Sequence, residues 1–533
     1  MKKITLSVYQ QNIINHVATS ANNLIVNALA GSGKTFTLVL AVVEYLKSHP
    51  YAKVAMCAFN KSIADELNNK IKDARVLCRT SHSIGLLAIR NYLKLNGGNL
   101  PLIINNQYFH FKVLYNLSDY SEIIDETTDN KIKFDFIGNV DQLLNLCRVN
   151  LIKADEVERI TDLATEFNIT PIADEVYTVR KLLRDAYEMR IEKNVKEVKG
   201  RYSKVHPKAY VIDYTDMLTF GATHPNWCAK FDLFCGDECQ DFNKAQHELI
   251  ANSLNKGGKM VVIGDPHQAI NGFAGAMNDS FDRLAENCEM LPLSVNYRCG
   301  KSILAKAQEI VADILPHEGA IEGEVTRSND LKCVKDGDFI LCRTKAPLVR
   351  TAMKFLRVGR TANVLGTDLA SNLKSLIRQA VGTKCMDLST TILMDKLNEL
   401  KDKTQNDILN RGYKGKICDH PTLIELNDKI ECIDNISLEC TNISETFAKI
   451  DTLFTAERKA NAITLMTAHK SKGLENDNVH IILPNKLPLT WEGQLDWQYQ
   501  QEKNLEYVAY TRAKKCLNII DGDYEALVNM DVE

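Results

Sequence analysis

Three short apolar runs, Leu24-Ile25-Val26, Phe231 to Gly236 and Val261-Val262-Ile263, each end abruptly at a turn-rich or acidic segment. Continuous apolar runs of this length are the pattern of strands buried on both faces, as in a sheet covered by helices. Just past the first run, Phe36 to Leu46 places apolar residues at helical spacing, so a strand, a glycine-rich turn and a helix follow one another. A longer stretch, IADEVYTVRKLLRDAYEMRIEKNVKEV, spaces its apolar residues as one face of an amphipathic helix. Strands interleaved with helices predict an α/β layered core.

The turns carry the candidate chemistry. AGSGKT, Ala30 to Thr35, lies between the first strand and its helix. Free backbone N–H groups of Gly31, Ser32 and Gly33, together with the helix dipole, would hold phosphate there. Lys34 would reach the β- and γ-phosphates of ATP and Thr35 would hold Mg²⁺. Ala28 stands where the general phosphate-loop pattern has its first glycine. DECQD, Asp237 to Asp241, follows the second strand, which puts Asp237 at the strand tip beside the metal and Glu238 toward the γ-phosphate. Alone, a glycine-rich stretch is usually a turn and an acidic run a solvated surface. Together, each after a strand, they predict hydrolysis of MgATP. Gln268, in the turn-rich GDPHQAINGFAGA, is placed to sense the γ-phosphate. Arg298 in LSVNYRCG and Arg512 in LEYVAYTRAKK complete the set. A single arginine is ordinarily a surface ion pair worth under about 1 kcal/mol. In a two-lobed motor, an arginine that meets transition-state charge is worth about 10³ to 10⁵ in rate.

Composition narrows the class. With 533 residues the chain exceeds one compact core, and about three to four domains are expected. Hydrophobic content of 45% and charged content of 25% are those of an ordinary globular protein. MKKITLSVYQQNII lacks the apolar core of a signal peptide, and no stretch is apolar for long enough to span a bilayer. The expectation is a soluble intracellular protein with no membrane partner, cytoplasmic, or in the host cytoplasm if viral. Its 15 cysteines are scattered without a framework, so buried free thiols are expected. Cys235 and Cys239 flank the acidic motif without a matching Cys/His pair, so zinc is not expected. A net charge of −3 neither supports nor excludes nucleic acid, since a groove needs only a local positive stripe.

The order of segments resembles the UvrD, Rep and PcrA group of superfamily 1 DNA helicases over essentially the whole chain. LSVYQ (Leu6 to Gln10), AFNKSIADEL (Ala58 to Leu67), RTSHSIG (Arg79 to Gly85), DYTDML (Asp213 to Leu218), ILCRT (Ile340 to Thr344), LMTAHKSKGLE (Leu465 to Glu475) and EKNLEYVAYTRAKK (Glu502 to Lys515) carry it, with the motifs above. The wording of AFNKSIA, TSHSIG and GDPHQ is most similar to the helicase portion of the F-box DNA helicases and their microbial or viral relatives. With the phosphate loop so near the first residue, no F-box or ubiquitin-ligase role is expected.

The resemblance implies that Gln10 bonds the adenine edge, Tyr297 stacks on its face and Glu475 contacts the ribose. It implies Glu238 as general base, Gln268, Arg298 and Arg512 around the γ-phosphate, and DNA contacts from Phe59, Asn60, His82, Phe273, Arg343 and His469. Asn271 and Ala274 stand where many relatives have Tyr and Arg, and Phe36 where Arg is frequent. These departures touch the DNA grip and one nucleotide contact, not the hydrolytic set.

The implied architecture is two RecA-like lobes with parallel sheets, each interrupted by an insertion. The first lobe is expected at 1–90 and 205–280, with a helical insertion at 91–204. The second is expected at 281–371 and 459–533, with a small insertion at 372–458. The implied activity is ATP-dependent 3′ to 5′ translocation on single-stranded DNA with unwinding of forked DNA. A translocase that strips proteins from single strands and an RNA-directed helicase stay open, as does a nucleotide-dependent scaffold. The pathway (replication, repair or recombination control) and any protein partners are left open.

Overall fold

The computed structural model describes residues 5–58, 60–96, 102–103, 130–167, 169, 173–188, 211–270, 272, 280–382, 386–410, 416–455 and 461–522. The chain divides into two compact units, residues 1–28 with 33–293, and 294–533 with the short segment 29–32.

In the first unit the chain runs α1 (Val8–Thr19), β1 (Leu24–Ala28), α2 (Lys34–Ser48), β2 (Val54–Ala58), α3 (Lys61–Ile71), β3 (Val76–Thr80) and α4 (Ser81–Leu95). A short strand pair, β4 (Leu102–Ile103) and β5 (Val211–Ile212), brackets α5 (Asn130–Val149), α6 (Val157–Glu166) and α7 (Ala173–Glu188). Then come α8 (Tyr214–Thr223), β6 (Phe231–Asp237), α9 (Lys244–Asn252), β7 (Leu254–Gly264), α10 (Ser280–Ala285) and β8 (Glu289–Leu293). The sheet is wholly parallel in the order β3-β2-β6-β7-β1-β8. Parallel strands need crossover connections, and the intervening helices bury the sheet on both faces. One face packs Leu24, Val26 and Val54 with α1 and α2, and the other packs Ile25, Ala55 and Phe234 with α4, α8 and α9. Because β8 pairs with β1 in register Leu24↔Glu289, the first unit extends to Leu293, past the expected boundary at 280. The helices of the first insertion hold a core of their own around Val140, Leu143 and Leu183.

A buried ion-pair cluster ties α5 to α8. Arg148, near the end of α5 and 2% exposed, bonds Asp213 at 2.8 Å and also bonds Asp216. Asp213 caps α8, accepting from the Asp216 N–H at 2.6 Å, so a single guanidinium fixes the carboxylates at a helix start. Replacing Arg148 by Met removes the positive partner of two largely buried carboxylates, and a cost of about 3–5 kcal/mol is expected. Urea titration checks it; an unchanged midpoint contradicts the tie.

The second unit begins with a strand pair, β9 (Val295–Asn296) and β10 (Leu315–Pro316), around α11 (Lys301–Gln308). It continues with β11 (Glu324–Ser328), β12 (Phe339–Cys342), α12 (Ala346–Arg357), β13 (Ala362–Leu365), and α13 (Thr367–Val381), α14 (Thr390–Asn410), α15 (Pro421–Ser437) and α16 (Ile443–Leu453). β14 (Phe454–Thr455), β15 (Ile463–Thr467), β16 (Asn476–Ile482), α17 (Asp496–Tyr510) and β17 (Ala513–Ile520) follow. The second sheet is also parallel, ordered β11-β17-β16-β12-β15-β13-β14. The expected insertion at 372–458 starts inside α13 and ends beyond β14, a strand of this sheet. Its apolar residues Leu373, Leu393, Ile433 and Ile450 share one core with Ile340 and Ile463, so it is a cover on the sheet rather than a separate body. Among the described residues no helix is long and apolar enough to cross a membrane.

Candidate nucleotide site

The sheet order explains why distant motifs meet. β6, β7 and β1 are successive neighbours, so residues just past their C-terminal ends converge. β1 leads into the glycine-rich turn, and Gly33, at φ 80, adopts the left-handed backbone that starts α2 at Lys34. Thr35 Oγ1 donates to Asp237 Oδ2 at 2.9 Å, joining the loop to the tip of β6. Lys34 Nζ is buried without a hydrogen-bond partner and lies 4.0 Å from Asp265 Oδ2, past the tip of β7.

Glu238 sits at φ 55, a left-handed position that a non-glycine residue holds only when its surroundings over-determine it. Its N–H donates to Asp237 Oδ1 at 2.9 Å, and its carboxylate accepts from Gln240 Nε2 at 2.6 Å. Gln240 Oε1 in turn accepts from the Asp265 N–H at 3.0 Å, and Asp265 Oδ2 accepts from Gln268 Nε2 at 2.5 Å. A bonded chain therefore runs from Glu238 through Gln240 and Asp265 to Gln268. It depends on close approach at Gly264, where a Cβ would come within 2.5 Å of Gln240 Oε1. Gln240 and Asp265 were not singled out from sequence, although both lie inside the quoted DECQD and GDPHQ segments. Only the pairing of β6 with β7 makes them partners.

These residues fit MgATP. Burial first, then the neighbouring Glu238, raises the Asp237 carboxyl to about 6, against the opposing pull of Lys34 and Thr35. A divalent cation would offset that cost, and Asp237 and Thr35 supply oxygen donors suited to Mg²⁺. The buried, unbonded ammonium of Lys34 and the equally unbonded Ser32 hydroxyl suit phosphate oxygens. Gln10 is buried beside the loop: its Nε2 donates to Thr37 Oγ1 at 3.3 Å, and its Oε1 closes the α1 capping box with the Ser7 N–H at 3.0 Å.

In the second unit, Tyr297 lines a cavity of about 260 Å³ with His317 and Lys514, its ring centroid 4.8 Å from that of His317. Arg298 Nε lies 2.5 Å from Glu475 Oε2, and Lys514 Nζ lies 2.6 Å from Glu475 Oε1. Burial opposes ionisation of Glu475, but these cations outweigh it and hold its pKa below the usual range. Glu475, expected at the ribose, is thus paired with the expected phosphate ligand Arg298. Arg512 is 1% exposed, and its guanidinium donates to the carbonyls of Val508 at 2.8 Å and Leu474 at 3.3 Å.

The expected DNA-contacting residues fall in different settings. Phe59 and Phe273 lie outside the described residues, as do Asn271 and Ala274. Asn60 caps α3, accepting from the Ile63 N–H at 2.9 Å. His82, at the start of α4, meets Tyr214 edge-on at 5.8 Å, and burial lowers its pKa against the pull of Asp213. Arg343 is held by Glu502 in a two-pronged bond, Nε to Oε2 at 2.9 Å and Nη2 to Oε1 at 2.6 Å. Crowding by the protein first, then the charges of Arg343, Lys345 and Lys472, pushes His469 down to about 3, so it is neutral at pH 7.

Residues 6–289 match the UvrD/REP helicase N-terminal domain, more than half the chain, and residues 367–522 match the UvrD-like helicase C-terminal domain. F-box DNA helicase protein 1 of Schizosaccharomyces pombe is 24% identical, over 97% of this chain and 57% of that protein. F-box DNA helicase 1 of Gallus gallus is 23% identical, over 97% of this chain and 49% of that protein. DNA helicase II of Escherichia coli is 26% identical, over 55% of this chain and 39% of that protein. The chain spans about half the length of the two F-box relatives.

Proposed function

The chain belongs to the UvrD/Rep helicase family, and on that premise we propose that it is an ATP-dependent DNA helicase that translocates 3′ to 5′ on single-stranded DNA. One observation supports this above the others: the bonded chain Glu238–Gln240–Asp265–Gln268 passes, at Asp265, 4.0 Å from the unbonded ammonium of Lys34. The loop N–H groups and Lys34 hold phosphate, and Thr35 and Asp237 hold the metal. MgATP supplies the cleavable phosphoanhydride and the charge neutralisation of its phosphates. Glu238 orients water and takes its proton, and Gln268 reports phosphate occupancy to the residues that follow it in sequence. Phe273, five residues on, stacks on a base, an interaction worth about 1–3 kcal/mol. Separating one base pair costs about 1.4 kcal/mol, which one turnover per base can supply. Forked DNA is the proposed substrate, contacted also by Asn60, His82, Arg343 and His469.

Arg298 and Arg512 act on the transition state. Arg298→Ala and Arg512→Lys are each expected to lower kcat for ATP hydrolysis by about two orders of magnitude, with smaller changes in KM. Steady-state phosphate release checks this; rates within a few-fold of wild type would return both residues to a structural role. Tailed duplexes of DNA and RNA test the substrate and polarity. Unwinding of 3′-tailed DNA alone supports the proposal; equal unwinding of RNA favours an RNA-directed enzyme, and protein displacement without unwinding favours a stripping translocase.

A further inference from the structure

Away from the nucleotide and nucleic-acid residues, the second unit aligns a cysteine, a histidine and an aspartate. Cys333 is exposed in the turn between β11 and β12. Its sulfur lies 3.9 Å from Nδ1 of His480 on β16, and Nε2 of the same ring lies 2.9 Å from Oδ2 of Asp338. Asp338 is itself fixed by the Lys335 N–H at 2.8 Å and by Asn478 Nδ2 at 2.9 Å. Asn518, on β17, donates to the Cys333 sulfur at 2.9 Å and to Ser328 Oγ at 3.0 Å. The sheet order β11-β17-β16-β12 brings these residues together at one edge region. His480 and Asp338 are 3% and 4% exposed, so a buried, bonded pair stands beside a cysteine that is itself exposed.

A carboxylate on one ring nitrogen fixes the tautomer and favours a proton on the ring, which in turn favours a thiolate at the other nitrogen. Burial opposes charge on His480, but its bonds to Asp338 and Cys333 outweigh that and raise its pKa. Burial likewise opposes the Cys333 thiolate, yet the bonds from His480 and Ser328 and the His480 charge lower its pKa overall. Asp330, in the same turn, works against the thiolate, and Cys516 on β17 is a further titratable neighbour. Burial alone raises Cys78 and Cys288 to about 11, and burial with the Asp237 charge outweighs a bond from the Ser81 backbone to raise Cys57 to about 12.

We propose that Cys333 is a nucleophilic thiolate open to oxidation by hydroperoxides and to alkylation, with His480 and Asp338 as its positioning residues. In the oxidative step the thiolate attacks the terminal peroxide oxygen, an S–O bond forms and the O–O bond breaks. The leaving alkoxide takes the His480 ring proton, so sulfur is oxidised to a sulfenic acid and the peroxide is reduced to an alcohol. Exposed Cys418 is an internal reference in the same folded chain. Pulse alkylation with iodoacetamide from pH 5 to 9, read by mass spectrometry of each cysteine peptide, tests the site. At pH 6.5 Cys333 is expected to react about 10-fold faster than Cys418, with a lower pH of half-maximal rate. His480→Asn should bring Cys333 to the Cys418 rate, and dimedone after limiting hydroperoxide should label Cys333 first. Should His480→Asn fail to fold, the wild-type comparison decides alone. Equal rates and pH profiles for the two thiols, or equal dimedone labelling, overturn the proposal.

Discussion

Lys34→Ala is expected to bring ATP turnover to background while leaving the melting temperature near that of the wild type. The two halves of this expectation rest on the same observation. Lys34 Nζ makes no hydrogen bond and stands 4.0 Å from the nearest paired carboxylate oxygen, on Asp265. Truncation therefore forfeits little that holds the fold together. The ammonium is instead placed to meet phosphate charge in a site shielded from water, where removing one such contact costs about 10²–10³ in rate or more. Phosphate release measured beside thermal unfolding checks both halves. Wild-type turnover in a folded variant would remove the nucleotide assignment.

Glu238→Gln should separate binding from hydrolysis. The amide keeps the shape of the side chain, and its oxygen can still accept from Gln240 Nε2, now 2.6 Å from the carboxylate. Asp237 and Thr35, bonded at 2.9 Å, are untouched, so the metal donors remain. What is lost is a base able to take a proton from water, and a fall of about 10²–10⁴ in kcat is expected. Binding of a fluorescent ATP analogue should stay within a few-fold of wild type, and ATP should trap the variant on single-stranded DNA. Normal hydrolysis would assign the base elsewhere.

Much of the framework of the candidate site is legible in the sequence because local signals coincide with its strands and helix. The run Leu24-Ile25-Val26 is the start of β1, Phe231 to Gly236 lies within β6, and Phe36 to Leu46 falls within α2. Burial on both faces made those strands uniformly apolar, and the glycine turn supplied the break. β8 carries no such signal because Glu289 and Pro292 leave it no apolar run longer than two residues, and its place beside β1 comes from tertiary pairing. For the same reason the division between units was expected at 280. The Gln240–Asp265 link is also tertiary, since two residues on neighbouring strand tips announce nothing in sequence. Of the helix expected over IADEVYTVRKLLRDAYEMRIEKNVKEV, Ala173–Glu188 is observed and the remainder lies outside the described residues. The insertion at 372–458 offered no readable chemistry, and its part in covering the second sheet follows from packing alone.

Strand displacement is the most direct test of the account. Purified chain is mixed with a short DNA duplex bearing a single-stranded 3′ tail, with ATP and Mg²⁺, beside Glu238→Gln. The account predicts that the wild type separates the strands only when ATP is present, and that the variant binds the tail without separating them. ATP-independent separation, or equal separation by Glu238→Gln, would contradict it.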